Sequence, residues 1–195
     1  MSRTTYRFNK EERDLSDFYY AYSPHAIGRN RFLMYNSCIA NFEPERADEF
    51  SYVSIITKKR FSEGVRVTTK CAFERFGAPL IVFTDDIADE VGGTKLYGLH
   101  FEIVAYEGGC NVWHIVPNPE NEKRPIKSTN IGNLNFEIEP DELIGISVLF
   151  ERKKLSISVN GNTFEVENED FPENFHVGIT ACEGPNKFYE LLIEE

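Results

Sequence analysis

The chain has 195 residues, of which 41% are hydrophobic, and a formal net charge of −11 at pH 7. This length suits one large β domain, since sandwiches and barrels commonly reach it as single units. The negative charge repels phosphate backbones and anionic lipid, so nucleic acid and membrane surfaces are not expected partners. The amino terminus lacks the apolar core of a signal peptide, and no later run is long enough for a membrane span. These features predict a cytoplasmic protein.

The four cysteines, Cys38, Cys71, Cys110 and Cys182, are scattered without any C-x-x-C pair. This spacing encodes neither a zinc knuckle nor a thioredoxin-type redox motif. In a reducing compartment we expect all four thiols to be free, although four cysteines could also form two disulfides.

Residues 1–49 are rich in Tyr, Phe, Arg and Asn but lack clean periodicity. We interpret them as an irregular lead-in with an early edge strand, in which Asp14–Tyr20 forms a short helical turn or a loop laid over a sheet. From Phe50 onward, short β-branched and aromatic runs alternate with Gly, Pro and charged residues, as strands separated by turns do. The predicted strands are Tyr52–Thr57, Gly64–Phe73, Pro79–Thr84, Tyr97–Tyr106, Cys110–Val116, Asn135–Glu139, Leu143–Phe150, Leu155–Val159, Thr163–Val166, Phe175–Ala181 and Lys187–Ile193, with Glu107-Gly108-Gly109 joining the fourth and fifth.

The clearest local signal is Asn160-Gly161 between two alternating runs. Asn-Gly accepts the positive φ angles of a two-residue type I′ turn, which predicts a hairpin there. Many short strands without a long amphipathic helix predict an all-β fold of two packed antiparallel sheets or a closed barrel. We find no repeat or linker, so residues 1–195 are expected to form a single β-sandwich domain.

The strand order and hairpin pattern from about Phe50 onward resemble the concanavalin A-like lectin and glucanase superfamily, which includes laminin G-like domains. The resemblance is carried by Tyr97-x-Leu-x-Phe-Glu-Ile, the Gly-Gly-x-Asn-Val-Trp113 arm, Ile146-x-Val-x-Phe150, Leu155-x-Ile-x-Val-Asn-Gly161 and Gly178-Ile-Thr-Ala-Cys-Glu-Gly184. It implies a jelly-roll sandwich of two antiparallel, curved sheets, whose concave face accepts carbohydrate in many relatives. The Glu-x-Asp-x-x-Glu motif of the β-glucan hydrolases is absent, because Glu102 and Glu107 are five residues apart and fall on opposite faces of a regular strand.

The run Tyr97–Tyr106 directs His100, Glu102 and Tyr106 to one face, which we interpret as a wet sheet face. His100 and Glu102 form either an acid–base pair or a simple polar contact. On the next arm, Trp113 either stacks on a sugar ring or fills the core. By alternation, only one of Trp113 and His114 shares the face of His100.

Further candidate ligand-binding residues lie near the carboxyl terminus. His176 and Thr180 share a strand face with Gly178, which permits close approach of a ligand or of a neighbouring strand. Glu183, Asn186 and Lys187 in the following turn can hydrogen-bond hydroxyl groups or simply be solvated.

The acidic run Asp85-Asp86-Ile-Ala-Asp89 offers oxygen ligands for Ca²⁺ but lacks the order of a hand-type site. A solvated loop is the default interpretation, so no metal or other cofactor is expected.

Three functions follow from these features. The first is a carbohydrate-binding, lectin-like domain that uses its concave face. The second is a glycoside hydrolase or polysaccharide lyase with His100 and Glu102 as the acid–base pair, although no signature motif establishes an enzyme. The third is a protein-interaction module that buries a sheet face or edge in a homodimer.

Overall fold

The computed structural model describes residues 2–24, 26, 28–41 and 51–195. These residues form strands and connecting loops, and eighteen strands fall within them. No helix in the described ranges is long and apolar enough to cross a membrane.

Eight of the strands form one sheet, which we call the back sheet. They are β1 (Arg3–Arg7), β3 (Leu33–Met34), β4 (Ile39–Ala40), β7 (Arg66–Phe73), β14 (Ile144–Glu151), β15 (Lys154–Val159), β16 (Asn162–Glu167) and β18 (Asn186–Glu194). The order across this sheet is β16-β15-β14-β7-β18-β4-β3, and β1 also pairs with β18.

The other ten strands form the front sheet. They are β2 (Phe18–Tyr22), β5 (Tyr52–Thr57), β6 (Phe61–Ser62), β8 (Ala78–Thr84), β9 (Ile87–Asp89), β10 (Lys95–Tyr97), β11 (His100–Tyr106), β12 (Gly109–Pro117), β13 (Ile126–Asn135) and β17 (Asn174–Cys182). The order is β13-β12-β11-β8-β17-β5-β2-β10-β9, with β6 paired to β17.

Alternation along each strand builds the core between the two sheets. In β14 the side chains of Ile144, Ile146, Val148 and Phe150 are buried, while the residues between them are more exposed. Strands in the middle of the front sheet, such as β8, are buried throughout, because both faces of the sheet are covered. Phe83 lies at the centre of the core, with its ring centroid 5.0 Å from that of Phe101 and 4.7 Å from that of Phe150. The two-sheet, all-β prediction is confirmed.

The hairpin prediction is also confirmed. Asn160 and Gly161 have φ values of 48° and 85°, as a type I′ turn requires, and β15 pairs with β16 across them.

Three local predictions differ from the structure. The run Asn135–Glu139 is not a strand, because β13 ends at Asn135 and the chain turns away after it. Phe18–Tyr22 forms β2 rather than a helical turn or covering loop, and it lies inside the front sheet between β5 and β10. The pairing of β10 with β2 is parallel, unlike the antiparallel pairings around it.

Candidate functional site

The outer face of the front sheet, turned away from the back sheet, is concave. Tyr52 on β5 and Glu102 on β11 have two strands between them, so a flat sheet would hold their backbones about 14 Å apart. The Tyr52 hydroxyl nevertheless lies 3.0 Å from Glu102 Oε1. The two side chains therefore lean towards each other across β17 and β8 on this face.

A short connection closes one end of the concave face. Strands β10 and β11 are separated in the sheet order by four other strands, a distance of about 24 Å along a flat sheet. Only Gly98 and Leu99 link Tyr97 to His100, and such a link spans roughly 10 Å. Asp86 fixes the link, because its Oδ2 accepts a hydrogen bond of 2.9 Å from the Leu99 amide. The front sheet thus curls back on itself at the start of β11.

A second hydrophobic cluster fills the middle of the concave face, distinct from the core between the sheets. We call it the outer cluster, and its buried members are Ala21, Tyr22, Tyr52, Ile56, Ala78, Leu80, Val82, Tyr97, Val104 and Cys182. Trp113 is partly buried against it. The cluster limits the open part of the face, among the described residues, to its margins.

Hydrogen-bonded polar groups lie within the outer cluster. The Tyr97 hydroxyl is 2.9 Å from Ser54 Oγ, which is 2.7 Å from Thr180 Oγ1. Burial raises the pKa of Tyr97, and burial together with the Glu102 charge raises that of Tyr52. Both phenols therefore stay protonated and can donate hydrogen bonds at neutral pH.

His100 lies at the closed end of this network. Its Nδ1 is 2.8 Å from the Gly98 carbonyl oxygen, and its ring stacks on Tyr97 with centroids 4.8 Å apart. Its Nε2 lies 3.6 Å from Glu102 Oε1 and makes no hydrogen bond to the described residues. His100 is fully buried and Glu102 is only 6% exposed, so the expected wet sheet face is wrong at these two residues. The outer cluster, which alternation alone does not reveal, covers them.

Trp113 gives the concave face its accessible aromatic side chain beside Glu102. The two residues are direct partners between β11 and β12, so their side chains lie on the same face about 5 Å apart at Cβ. Trp113 is partly exposed. Tyr106, also partly exposed, follows Glu102 on that face of β11.

Two amide side chains flank the indole. Asn111 lies two residues away on β12, and Asn130 is the partner of Trp113 on β13. The side chain of Asn111 makes no hydrogen bond to the described residues, whereas Asn130 Oδ1 accepts one from the Gly132 amide. We call Glu102, Tyr106, Asn111, Trp113 and Asn130 together the Trp113 surface.

His176 and Thr180 share the concave face but are covered. His176 Nδ1 is 2.8 Å from the Thr57 carbonyl oxygen, and burial lowers its pKa. Thr180 is fully buried and bonds Ser54. Between them, a Cβ at Gly178 would lie 2.0 Å from the Ile55 carbonyl oxygen, so this glycine serves the close approach of β5 rather than of a ligand.

His114 does not join this group. It pairs with Phe101, and the two rings stack at 4.7 Å on the opposite side of the sheet from Trp113. Its prediction as a ligand-binding residue of the concave face is therefore wrong, because strict alternation after the Glu107–Gly109 turn gives that face to Trp113.

Of the three residues predicted in the turn after β17, Asn186 and Lys187 lie at the start of β18 and have structural contacts instead. Asn186 is fully buried, and its Nδ2 donates to the carbonyl oxygens of Cys182 and Gly184. Lys187 lies on the back sheet in an ion pair with Glu74. Glu183 is exposed in a left-handed conformation with a φ of 62°. The structure therefore does not bring Asn186 and Lys187 to the Trp113 surface.

The acidic run does not gather metal ligands. Asp86 bonds the Leu99 amide, Asp89 pairs with Lys95 at 2.5 Å, and Asp85 is exposed. Within the described ranges, no group of three or more His, Cys, Asp or Glu side chains could hold a metal ion. All four cysteines are buried and free.

Sequence reasoning missed Tyr52, Ser54, Asn111 and Asn130 as part of this face. The alternation Tyr52-x-Ser54 and Asn111-x-Trp113 contained the signal for the first three. Asn130 lies opposite a register shift between Val112 and Trp113, which strict alternation does not reveal.

No protein-family model matches the sequence, and no curated protein is similar to it. Solved structures are similar in fold. One, described as an endo-acting O-glycanase of the human gut microbiota, has a TM-score of 0.64 and 12% identity and covers 97% of each chain.

Two carbohydrate-binding proteins are also similar in fold. Carbohydrate binding module CBM66 from Bacillus subtilis has a TM-score of 0.60 and 8% identity over 86% of this chain and 95% of its own. The VIP36 exoplasmic domain with Ca²⁺ and Man3GlcNAc bound has a TM-score of 0.56 and 13% identity over 93% of this chain and 84% of its own. At such identities the likeness concerns the fold alone. The chain has the concanavalin A-like jelly-roll fold.

Proposed function

We propose that this chain binds carbohydrate through the concave face of its front sheet, at the Trp113 surface. The observation that carries the proposal is the placement of a partly exposed indole directly beside a carboxylate, flanked by two amide side chains whose NH2 groups make no hydrogen bond to the described residues. Sugar-binding sites need an apolar plane for the C–H face of a pyranose and polar groups for its hydroxyls.

Each member of the surface has a distinct part in this proposal. Trp113 supplies the stacking plane, and Asn111 and Asn130 supply amide donors to ring hydroxyls. Glu102 is only 6% exposed, so it lines the floor of the site beside the indole, and Tyr52 and His100 hold its carboxylate in place from the buried side. His176 and Thr180 support the sheet beneath the site without direct contact.

The structural neighbours support the same class of ligand. They include a carbohydrate binding module, a lectin-type domain bound to Man3GlcNAc and an O-glycanase. At identities of 8–13% they support the class of ligand rather than a particular sugar.

A glycan array tests the proposal, with wild type, Trp113→Ala and a control variant side by side. We expect at least one glycan family to bind and Trp113→Ala to lose at least about two- to twelvefold in affinity, because aromatic stacking contributes about 0.5–1.5 kcal/mol beyond area burial. Tyr35→Ala is the matched control, since Tyr35 is an aromatic that is 51% exposed on the β3–β4 hairpin of the back sheet. An array without signal, or equal binding by both variants, would contradict the proposal.

A glycosidase or lyase is the second candidate, favoured by the 3.6 Å approach of His100 Nε2 to Glu102. The contacts of Glu102 with Tyr52 and His100 include no second carboxylate, whereas most glycosidases need two across the scissile bond. Binding is therefore the better-supported function. Turnover of an array-positive oligosaccharide by wild type but not by Glu102→Gln would reverse this ranking.

A further inference from the structure

The hydrogen bonds of His100 fix which ring nitrogen carries a proton. The Gly98 carbonyl oxygen can only accept, so Nδ1 at 2.8 Å must be the donor. The other nitrogen, Nε2, is fully buried and faces Glu102 Oε1 at 3.6 Å. A neutral ring of this tautomer would therefore direct its Nε2 lone pair at a carboxylate oxygen.

Among the described residues, the titratable groups that face the pair do not offset a bare negative charge on Glu102. They are Tyr52 from β5, Tyr97 from β10, Cys182 from β17 and, on the far side of the sheet, His114 from β12. Burial and the Glu102 charge raise the pKa of both Tyr52 and Cys182, so these groups remain neutral. Burial lowers the pKa of His114, which keeps it neutral as well. A buried carboxylate without a compensating charge is costly.

We propose that His100 is a positioning residue that carries one buried proton on Nε2 and forms an imidazolium–carboxylate ion pair with Glu102. The proton comes from solvent during folding and occupies Nε2, where it faces Oε1. The Tyr52 hydroxyl donates to the same carboxylate, and the stacked Tyr97 ring lies against the imidazolium, an arrangement that favours a cation.

One consequence concerns the ligand, and it rests on the proposed function. The polar end of the Trp113 surface carries no net charge, although the whole chain carries −11. The surface therefore suits an uncharged polyhydroxyl ligand rather than a cationic one.

The buried proton predicts a specific pH dependence of stability. In the unfolded chain, Glu and His have ordinary pKa values of about 4.3 and 6.5, so both are deprotonated by about pH 8. Folding then takes up one proton, and the folded state loses this stabilisation as the pH rises. We expect the unfolding equilibrium constant to rise by up to about tenfold per pH unit from about pH 7 to 7.5 on this account, and the four thiols, which ionise in the unfolded chain at about pH 8.5, add the same slope in every variant.

The experiment compares this slope, from urea unfolding, in wild type, Glu102→Gln and Glu107→Gln. The carboxamide of Glu102→Gln can donate to Nε2 without any extra proton, so we expect its slope to be smaller by one proton. Glu107 is exposed in the β11–β12 turn and its substitution should leave the slope unchanged. His114 and His176 contribute equally to all three proteins and cancel. Equal slopes in wild type and Glu102→Gln would overturn the proposal.

A second measurement tests the proposal on the wild type in case Glu102→Gln does not fold. In ¹⁵N-histidine-labelled wild type at about pH 7.5, Nε2 of His100 should give the resonance of a protonated nitrogen, and an unprotonated resonance would overturn the proposal. On the glycan array, binding confined to glycans with free amino groups would contradict the inference that the polar end of the Trp113 surface carries no net charge. A silent array overturns the proposed function alone, because the unfolding slope still decides whether the ion pair forms.

Discussion

Replacing Tyr52 by Phe tests whether the buried phenol holds the Glu102 carboxylate. The substitution keeps the ring in the outer cluster and removes only the hydroxyl that donates to Oε1 at 3.0 Å. A hydrogen bond to a charged group contributes about 1.5–3 kcal/mol to stability, and Glu102 is too buried for water to replace it freely. We therefore expect the free energy of unfolding to fall by about 1.5–3 kcal/mol.

Urea unfolding gives this value directly, and an unchanged m-value shows that the change lies in folded-state stability. For a chain of this length each kcal/mol lowers Tm by about 2–4 °C, so the expected shift is about 3–12 °C. Tyr19→Phe is the control, because the Tyr19 hydroxyl makes no hydrogen bond to the described residues and its ring keeps its contacts with Lys58 and Lys95. If the free energy of unfolding of Tyr52→Phe lies within about 0.5 kcal/mol of that of the control, the claim that the Tyr52 hydroxyl stabilises the Glu102 carboxylate is refuted.

Two further predictions concern the scaffold. Gly161→Ala should cost about 1–2 kcal/mol in urea unfolding, because Gly161 has a φ of 85° in open space and the cost comes from the backbone alone; an unchanged midpoint would contradict the type I′ turn. Burial lowers the pKa of His176, so the unfolded state binds its proton more readily and stability falls as the pH drops from about 6.5. His176→Asn should reduce this loss between pH 7 and 5 while keeping a donor to Thr57, and an acid profile identical to wild type would show that His176 does not contribute.

The strands could be predicted where local chemistry and tertiary structure agree. Tyr52–Thr57 matches β5 at both ends, and Asn160-Gly161 forms the expected turn. Prediction failed where pairing with a neighbouring strand decides whether a segment becomes a strand. Phe18–Tyr22 has weak strand periodicity, but it pairs between β5 and β10 in the front sheet. At Asn135–Glu139 the residues alternate correctly, yet the pairing with β12 ends at Asn135.

The candidate site was predictable only in part. Alternation placed His100, Glu102 and Tyr106 on one face, and pairing with β11 adds Trp113. The curl of the sheet was not predictable, because it depends on β10 returning from the far side to meet β11. That curl forms the outer cluster, buries His100 and His176, and leaves the β11–β13 margin partly open.

Trp113 is the only tryptophan of the chain, so its fluorescence reports on the proposed site without any label. The most direct test is a titration of wild type with an array-positive glycan, following Trp113 emission and its quenching by acrylamide. We predict a saturable change in emission together with protection from quenching at the same ligand concentration. Binding of the glycan, shown by calorimetry, with emission and quenching both unaltered would contradict carbohydrate binding at this surface.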